Sequence, residues 1–205
     1  MIKCPLMDKL FERVKALLLK PRKTWGVIKG EPAGVAELMV NYAAPLALIP
    51  VVARVINLAL IGFQLPGGHV TRAPLLDALF GGVVSFIFHL AGLLAGIWVI
   101  NWLAPYCESK PDLKGAAQIV LYSMTPVWIL GVCAVSPILG LLQIFGLYGI
   151  YLAYLGLPVI IGTPPERVPW FTLLLFITSL AIGLVFNVVV DSAVYGPIII
   201  RMMVY

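Results

Sequence analysis

The chain has 205 residues, of which 61% are apolar and only 11% are charged, with a formal net charge of +5 and a mean hydropathy of +1.04. A soluble domain carries roughly 25% charged residues, so this composition excludes both a water-exposed globular fold and a disordered chain. Three scattered cysteines exclude a disulfide-stapled secreted module, and a polytopic membrane protein remains.

The first predicted element is an amphipathic helix in the N-terminal segment, residues 1–34, which we separate from a membrane domain at residues 35–205. Apolar residues between Leu6 and Leu18 recur at steps of three and four, so they line one helical face. Such a helix lies in the interface of an anionic leaflet or packs on the ends of membrane helices, and the sequence leaves both interpretations open. The side chains predicted to contact lipid headgroups are Lys9, Arg13, Lys15, Lys20, Arg22 and Lys23.

Five transmembrane helices are predicted from the long distances between charges, which gives an all-α polytopic bundle. Runs longer than 18 apolar residues are typical of membrane-spanning helices. The longest uncharged run, residues 115–165, is too long for one helix, and Ser136-Pro137 divides it because proline interrupts helical hydrogen bonding. The predicted spans are residues 37–62, 75–105, 116–135, 138–162 and 169–194.

The distribution of basic residues predicts the orientation of this bundle. Eleven of the fourteen Lys and Arg residues lie in the N-terminal segment or in the second and fourth connections, against two, Arg72 and Arg201, on the other side. Because basic residues accumulate in cytoplasmic segments, we expect a cytoplasmic N-terminus and a C-terminus outside.

Four stretches of the chain are similar to known sequences. They are Pro21–Ile28, the run Tyr42–Leu46 in the first span, Tyr122-Ser123-Met124-Thr125-Pro126-Val127-Trp128 in the third, and the tyrosine-rich run Gly146–Pro158 in the fourth. Together they resemble the prokaryotic branch of the Ypt-interacting-protein (Yip) domain family over roughly residues 20–187. The resemblance implies five spans, a cytoplasmic N-terminus and residence in a prokaryotic cytoplasmic (inner) membrane.

Eukaryotic members of that family bind Rab-type small GTPases, and their two hallmark motifs are incomplete in this chain. Gly-Tyr-x-x-x-Pro is present only as Tyr122 to Pro126, with Leu121 in place of the glycine. Asp-Leu-x-Gly-Pro is missing before the first span, and the similar run Asp112–Ala116 precedes the third span and ends in alanine. The sequence therefore gives small-GTPase binding little support.

The sequence contains no enzyme signature. His69 and His89 have no cysteine, histidine or carboxylate at ligand spacing, and phosphate-binding loops, nucleophile elbows and Cys-x-x-Cys pairs are absent. We therefore expect a non-enzymatic protein with no cofactor and no metal site. The positive charge is concentrated in the N-terminal segment, which favours lipid headgroups over nucleic acid as the partner.

Polar side chains inside the spans are the candidate functional residues, because charges within a membrane are rare and costly. Gly81, Ser85 and His89 form one stripe, continued by Gly92 and Gly96, and Ser179, Gly183, Asn187 and Asp191 form another. Such stripes also serve helix packing, and the sequence does not decide between packing and function. We expect Arg54 to pair with Asp191, with Asp77 as the alternative. The intramembrane candidates are Arg54, Asn57, His89, Asn187 and Asp191.

Two hypotheses about function follow. The first is a membrane protein that organises the membrane or membrane-protein assembly through contacts with lipid, with other membrane proteins or with a second copy. The alternative is a small transporter or channel with a polar path lined by Arg54, His89 and Asp191. A wet polar cavity between the stripes would favour the alternative, and a dry packed seam would favour the first hypothesis.

Overall fold

The computed structural model describes residues 5–64, 70–192 and 196–197. His69 and the predicted end of the fifth span at residues 193–194 lie outside these ranges. Two short helices begin the chain, α1 (Pro5–Leu19) and α2 (Pro21–Lys29). Five helices long and apolar enough to cross a membrane follow in the described residues. They are α3 (Val35–Ile61), α4 (Leu75–Cys107), α5 (Leu113–Val135), α6 (Ile138–Ile160) and α7 (Val168–Val190).

The five predicted spans and the break between the third and fourth are confirmed. Ser136 has extended backbone angles of φ −137° and ψ 137°, and a new helix begins directly after it. Helices are the form expected here, because the bilayer core offers no water to backbone groups. Short π-helical segments interrupt α3 at Met39–Ala43 and Asn57–Ile61, and 3-10 segments end α5 at Gly131–Val135 and occupy α6 at Leu141–Leu147.

Strands occur in the described residues only in the connection between α3 and α4. There β1 (Phe63–Gln64) pairs antiparallel with β2 (Val70–Thr71) in the register Phe63 with Thr71 and Gln64 with Val70. Gly62 precedes β1 with a φ of 89°, and a Cβ at this position would lie 2.6 Å from the Thr71 carbonyl oxygen. Glycine therefore permits the sharp exit from α3.

Helix α5 lies at the centre of the bundle and is the most buried of the five, whereas α7 is the least buried. Helix α4 packs against α3, α5 and α7, and α6 packs against α2, α5 and α7. The exposed outer faces of these helices are apolar, as expected of helices surrounded by lipid. The main core also includes Leu17, Trp25 and Ile28, so the segment before residue 35 shares one core with the bundle.

The end of the bundle that carries α1 and α2, which we call the basic end, is closed by hydrogen bonds between connections. Ser109 Oγ lies 2.8 Å from Thr163 Oγ1, and the Lys110 amide donates to the Ile161 carbonyl at 3.1 Å. Arg167 donates from both Nε and a terminal nitrogen to Glu108 Oε1, at 2.9 and 2.7 Å. These contacts tie the connection between α4 and α5 to the one between α6 and α7.

Candidate functional site

Three stretches of the chain meet in one aromatic cluster, which we define as Trp25, Tyr42, Tyr122, Thr125 and Trp128. All five residues are buried. The Tyr122 ring contacts those of Trp25 and Tyr42, with centroids 6.0 and 4.5 Å apart, and Tyr42 contacts Trp128 at 6.4 Å. The cluster therefore joins α2 and α3 to the central helix α5.

A directed chain of hydrogen bonds fixes the polar atoms of the aromatic cluster. Thr125 Oγ1 donates to the Tyr122 carbonyl at 2.7 Å. Tyr42 Oη lies 2.7 Å from the same threonine oxygen. Because threonine has one hydroxyl proton and it points to Tyr122, Tyr42 is the donor to Thr125. Two hydroxyl groups are thus satisfied inside the apolar bundle without a charge.

Two glycines of α6 let that helix approach the aromatic cluster. A Cβ on Gly156 would lie 2.8 Å from the Trp25 ring, and a Cβ on Gly149 would collide with the Ser123 carbonyl oxygen. Glycine is therefore required at both positions by the closeness of the neighbouring atoms. On the same helix, Tyr148 Oη donates to the Leu18 carbonyl of α1 at 3.1 Å. The tyrosine-rich run thus packs and bonds the N-terminal helices to the bundle.

His89 of α4 is joined to the aromatic cluster by a hydrogen bond. Its Nε2 accepts a hydrogen bond of 2.8 Å from Trp128 Nε1. Since an indole N–H only donates, Nε2 carries no proton and the imidazole is the neutral Nδ1–H tautomer. His89 is therefore a neutral, hydrogen-bonded group in this structure.

Residues of both predicted polar stripes line one interior cavity of about 600 Å³, which is partly open to the surroundings. Helix α4 contributes Ser85, His89, Gly92 and Gly96 to the lining, and its neighbour α7 contributes Ser179, Gly183 and Asn187. Most of the remaining lining is apolar. The stripes therefore form neither a tightly packed seam nor a continuous polar path.

The polar groups on the lining are largely bonded within the protein. Asn187 Nδ2 donates to the Gly183 carbonyl at 2.8 Å, and Ser179 Oγ donates to the Phe176 carbonyl at 2.9 Å. Ser123 is different, because its buried hydroxyl lines the interior cavity and has no hydrogen-bond partner in the part of the chain that the structure describes.

Arg54 and Asp191 form an ion pair at the far end of the bundle, opposite the basic end. The Arg54 guanidinium lies 2.6 Å from Asp191 Oδ1, and the two side chains are 40% and 52% exposed. The pairing expected from the sequence is confirmed. Arg54 also lines the interior cavity, whereas Asn57 donates instead to the Val135 carbonyl at 2.7 Å, joining α3 to α5.

Comparison with known proteins places this architecture in a family. The family model described as the Yip1 domain matches residues 15–187. The chain belongs to the Yip1 domain family. It is 26% identical over 158 residues to the inner membrane protein YohC of Escherichia coli strain K12, a match that covers 75% of this chain and 81% of YohC. YohC of E. coli O6:H1 matches over the same shares. No solved structure matches this chain.

The Yip1 domain match includes every member of the aromatic cluster and ends four residues before Asp191. With five helices of membrane-spanning length and a likeness to an inner membrane protein, the chain is an integral inner membrane protein. The sequence-based prediction of the family and of this location is confirmed.

The Yip1 domain begins inside α1, and the basic residues of α1 and α2 divide into two groups. Arg13 forms an ion pair with Glu31 and is partly buried, so it holds α1 against the following linker. The other five predicted headgroup contacts are exposed. Three of them, Lys20, Arg22 and Lys23, line a shallow cleft of about 320 Å³ together with Pro21 and Tyr151.

Two residues to which the sequence analysis gave no structural role, Gln118 and Asp112, fix the basic end of this Yip1 domain. Gln118 Nε2 donates to the Ile28 carbonyl at 3.1 Å, so α2 bonds to the central helix. Asp112 caps α5 by accepting from the Lys114 and Gly115 amides at 3.1 and 3.0 Å. The run Asp112–Ala116 therefore forms the start of helix α5. An aspartate at the N-cap position is a sequence signal for such a helix start, and it could have been recognised.

Proposed function

We propose that the protein is a non-enzymatic member of its family that organises the membrane, or membrane-protein assembly, through contacts with lipid and with other membrane proteins or a second copy. The observation that carries this proposal is the exposed basic surface of α1 and α2, which lies beside exposed apolar side chains. Met7 and Phe11 are 58% and 66% exposed on α1. We propose no cofactor, metal, nucleic acid or small GTPase for this role.

The orientation we propose puts the basic end in the cytoplasm and the C-terminus outside. The eleven basic residues of the N-terminal segment and the second and fourth connections support it. A reporter test checks this orientation. Alkaline phosphatase fused after Tyr205 is expected to be active and green fluorescent protein to be dark. The reverse pattern would contradict the orientation.

The proposed mechanism uses α1 as an interfacial helix anchored to the bundle on one side. Leu17 is fully buried and Leu10 and Val14 pack against the core, so these residues face protein. Met7 and Phe11 are left exposed, and in this mechanism they insert at the boundary between headgroups and acyl chains, at a depth of about 5–10 Å. Each exposed lysine or arginine near an anionic surface contributes about 1 kcal/mol. Both earlier interpretations of this helix are thus combined.

The test measures enrichment of anionic lipid around the full-length protein in nanodiscs. Spin-labelled phosphatidylglycerol is expected to be enriched over spin-labelled phosphatidylcholine, and added salt should lower the enrichment because screening weakens surface charges. Replacing Lys20, Arg22 and Lys23 by glutamine should reduce it, whereas Arg72→Gln at the far end should not. Equal enrichment in the wild type and the triple variant would contradict the proposal.

The alternative function is a small transporter or channel, and one observation favours it: Arg54 and His89 both line the interior cavity. However, the Arg54 charge is compensated by Asp191 and the His89 acceptor is occupied by Trp128. Reconstitution into liposomes with a potential-sensitive dye tests this alternative. An ion flux that Arg54→Ala alters would support a transport path, and the absence of flux would leave the organising role.

A further inference from the structure

The interior cavity is long. On α7 its lining begins at Thr172 and ends at Val190, which at 1.5 Å per residue corresponds to a length of about 27 Å. A volume of about 600 Å³ extended over this length makes the interior cavity an elongated space rather than a rounded one. A hydrocarbon chain is also elongated, so its extended form can lie along such a space.

The lining suits hydrocarbon better than water. A buried water needs two to four polar partners, but the hydroxyl and amide groups of Ser179 and Asn187 already donate to backbone carbonyls of α7. Most of the remaining lining is formed by apolar side chains such as Leu93, Ile119 and Ile182. An apolar occupant therefore breaks neither of these two hydrogen bonds and gains contact with these side chains, and it leaves the Ser123 hydroxyl without a partner among the described residues.

Arg54 lines the far end of the interior cavity, and its ion-pair partner Asp191 lies beside it at the depth of lipid headgroups. Arg54 lies 19 residues after Val35, about 28 Å along α3, and the hydrocarbon core of a bilayer is about 30 Å thick. Its ion pair with Asp191 is partly exposed there. An arginine beside an aspartate complements a headgroup that carries a phosphate and an ammonium.

From these observations we infer that the interior cavity is a lipid-binding site. One acyl chain of a zwitterionic phospholipid, taken from the leaflet at the far end, occupies it, and the headgroup lies at the Arg54–Asp191 pair. This site is separate from the basic surface of the proposed function. The occupant enters laterally from the bilayer, and no bond is made or broken.

The test uses full-length protein in nanodiscs containing phosphatidylethanolamine with a photoreactive diazirine on one acyl chain. Irradiation followed by peptide mapping is expected to place adducts on lining segments of α5 and α7. Gly183→Leu fills the cavity from α7, and a Cβ at Gly183 meets no atom within 4 Å, so the variant should fold. We expect it to lower this labelling about tenfold, the change that corresponds to about 1.4 kcal/mol of binding.

Gly140→Leu is the matched control, since its Cβ also meets nothing within 4 Å and Gly140 does not line the interior cavity. Its labelling should equal that of the wild type. If Gly183→Leu does not fold, Gly96→Leu fills the same space from α4, where the nearest atom to a Cβ is Val120 Cγ1 at 3.9 Å. Unchanged labelling of the lining in a folded filling variant would overturn the inference.

Two further arms identify the occupant. A diazirine fatty acid at equal concentration should label the lining less than the phospholipid, and equal labelling would contradict a phospholipid source. Ser123→Ala removes the unpartnered hydroxyl and should leave labelling unchanged, because a hydrocarbon chain does not accept its hydrogen bond. A large loss would instead indicate a polar ligand and overturn the inference. Neither experiment alters the basic surface of α1 and α2. The lipid-binding inference and the proposed function can therefore each be contradicted without the other.

Discussion

The aromatic cluster and the interior cavity are neighbouring regions along α5, and they use glycine for opposite purposes. At Gly149 and Gly156 the missing side chain lets α6 approach the Ser123 carbonyl and the Trp25 ring. At Gly183 and Gly96 the missing side chain leaves space that no neighbouring atom fills closely. Glycine in a membrane helix therefore indicates either a contact or a space, and only the packing of the neighbouring helices distinguishes the two.

The polar groups of the two regions differ in the same way. In the aromatic cluster, Tyr42 and Thr125 satisfy each other between helices. On α7, Ser179 and Asn187 donate to carbonyls of their own helix. The aromatic cluster therefore fixes helices against one another, whereas the α7 side of the interior cavity can separate from its neighbours without losing these hydrogen bonds.

The largest expected effect tests the contact role of glycine. Gly149→Ala and Gly156→Ala insert a methyl group into positions that are already occupied, and we expect each to lower the free energy of unfolding by about 3 kcal/mol or more. Thermal melting in detergent measures this. Gly183→Ala is the control and should melt within the range of the wild type, since surface-like substitutions stay within about 0.5 kcal/mol. Equal melting temperatures for all three variants would contradict the difference between glycines that permit a contact and glycines that leave a space.

The second prediction concerns the ion pair at the far end of the interior cavity. Arg54→Asp and Asp191→Arg each place two like charges together, and we expect each to lower the free energy of unfolding by about 1–2 kcal/mol, less than the 2.5–3.5 kcal/mol that a charge costs at the helix centre. The double swap should recover part of this loss. Arg72→Asp is the control. If the double variant is merely the sum of the singles, the pair does not contribute.

The third prediction is an asymmetry within the aromatic cluster. Thr125→Val leaves the Tyr42 hydroxyl buried without an acceptor, which costs about 1–3 kcal/mol. Tyr42→Phe removes the donor while Thr125 keeps its bond to Tyr122, so the cost should be about 0.5–1.5 kcal/mol. Melting of both variants, with the exposed Tyr106→Phe as a control, checks the donor assignment. A larger loss of stability for Tyr42→Phe than for Thr125→Val would reverse the assignment of Tyr42 as the donor.

The sequence predicted the parts of this fold that depend on the bilayer. Charge-free runs define the five spans because a charge inside hydrocarbon is costly, and Ser136-Pro137 divides the longest run into two spans. The Arg54–Asp191 pair was also predictable, because helical rise alone gives two residues of parallel helices a similar depth. The spans need no knowledge of which helices are neighbours, whereas the choice of Asp191 over Asp77 as the partner of Arg54 needs the structure.

The contacts between distant stretches could not be predicted in this way. Trp25 packs on Gly156, 131 residues further along the chain, because α2 and α6 happen to be neighbours. The interior cavity depends on how far α7 stands from α5, and no residue type encodes that distance. Both polar stripes were visible in the sequence, but the interior cavity that they share was not.

The smallest expected effect separates the two glycines that continue the stripe of α4. A Cβ on Gly92 lies 3.3 Å from the Phe186 ring of α7, whereas one on Gly96 lies 3.9 Å from Val120 Cγ1 and borders the interior cavity. Gly92→Leu must push α7 away or turn the Phe186 ring, and we expect a loss of about 1 kcal/mol. Gly96→Leu extends into the interior cavity and should melt within about 0.5 kcal/mol of the wild type. Melting of the two variants in the same detergent checks the difference. If Gly96→Leu is the less stable of the two, the space beside it is already closed, and the stripe is a packed seam along its whole length.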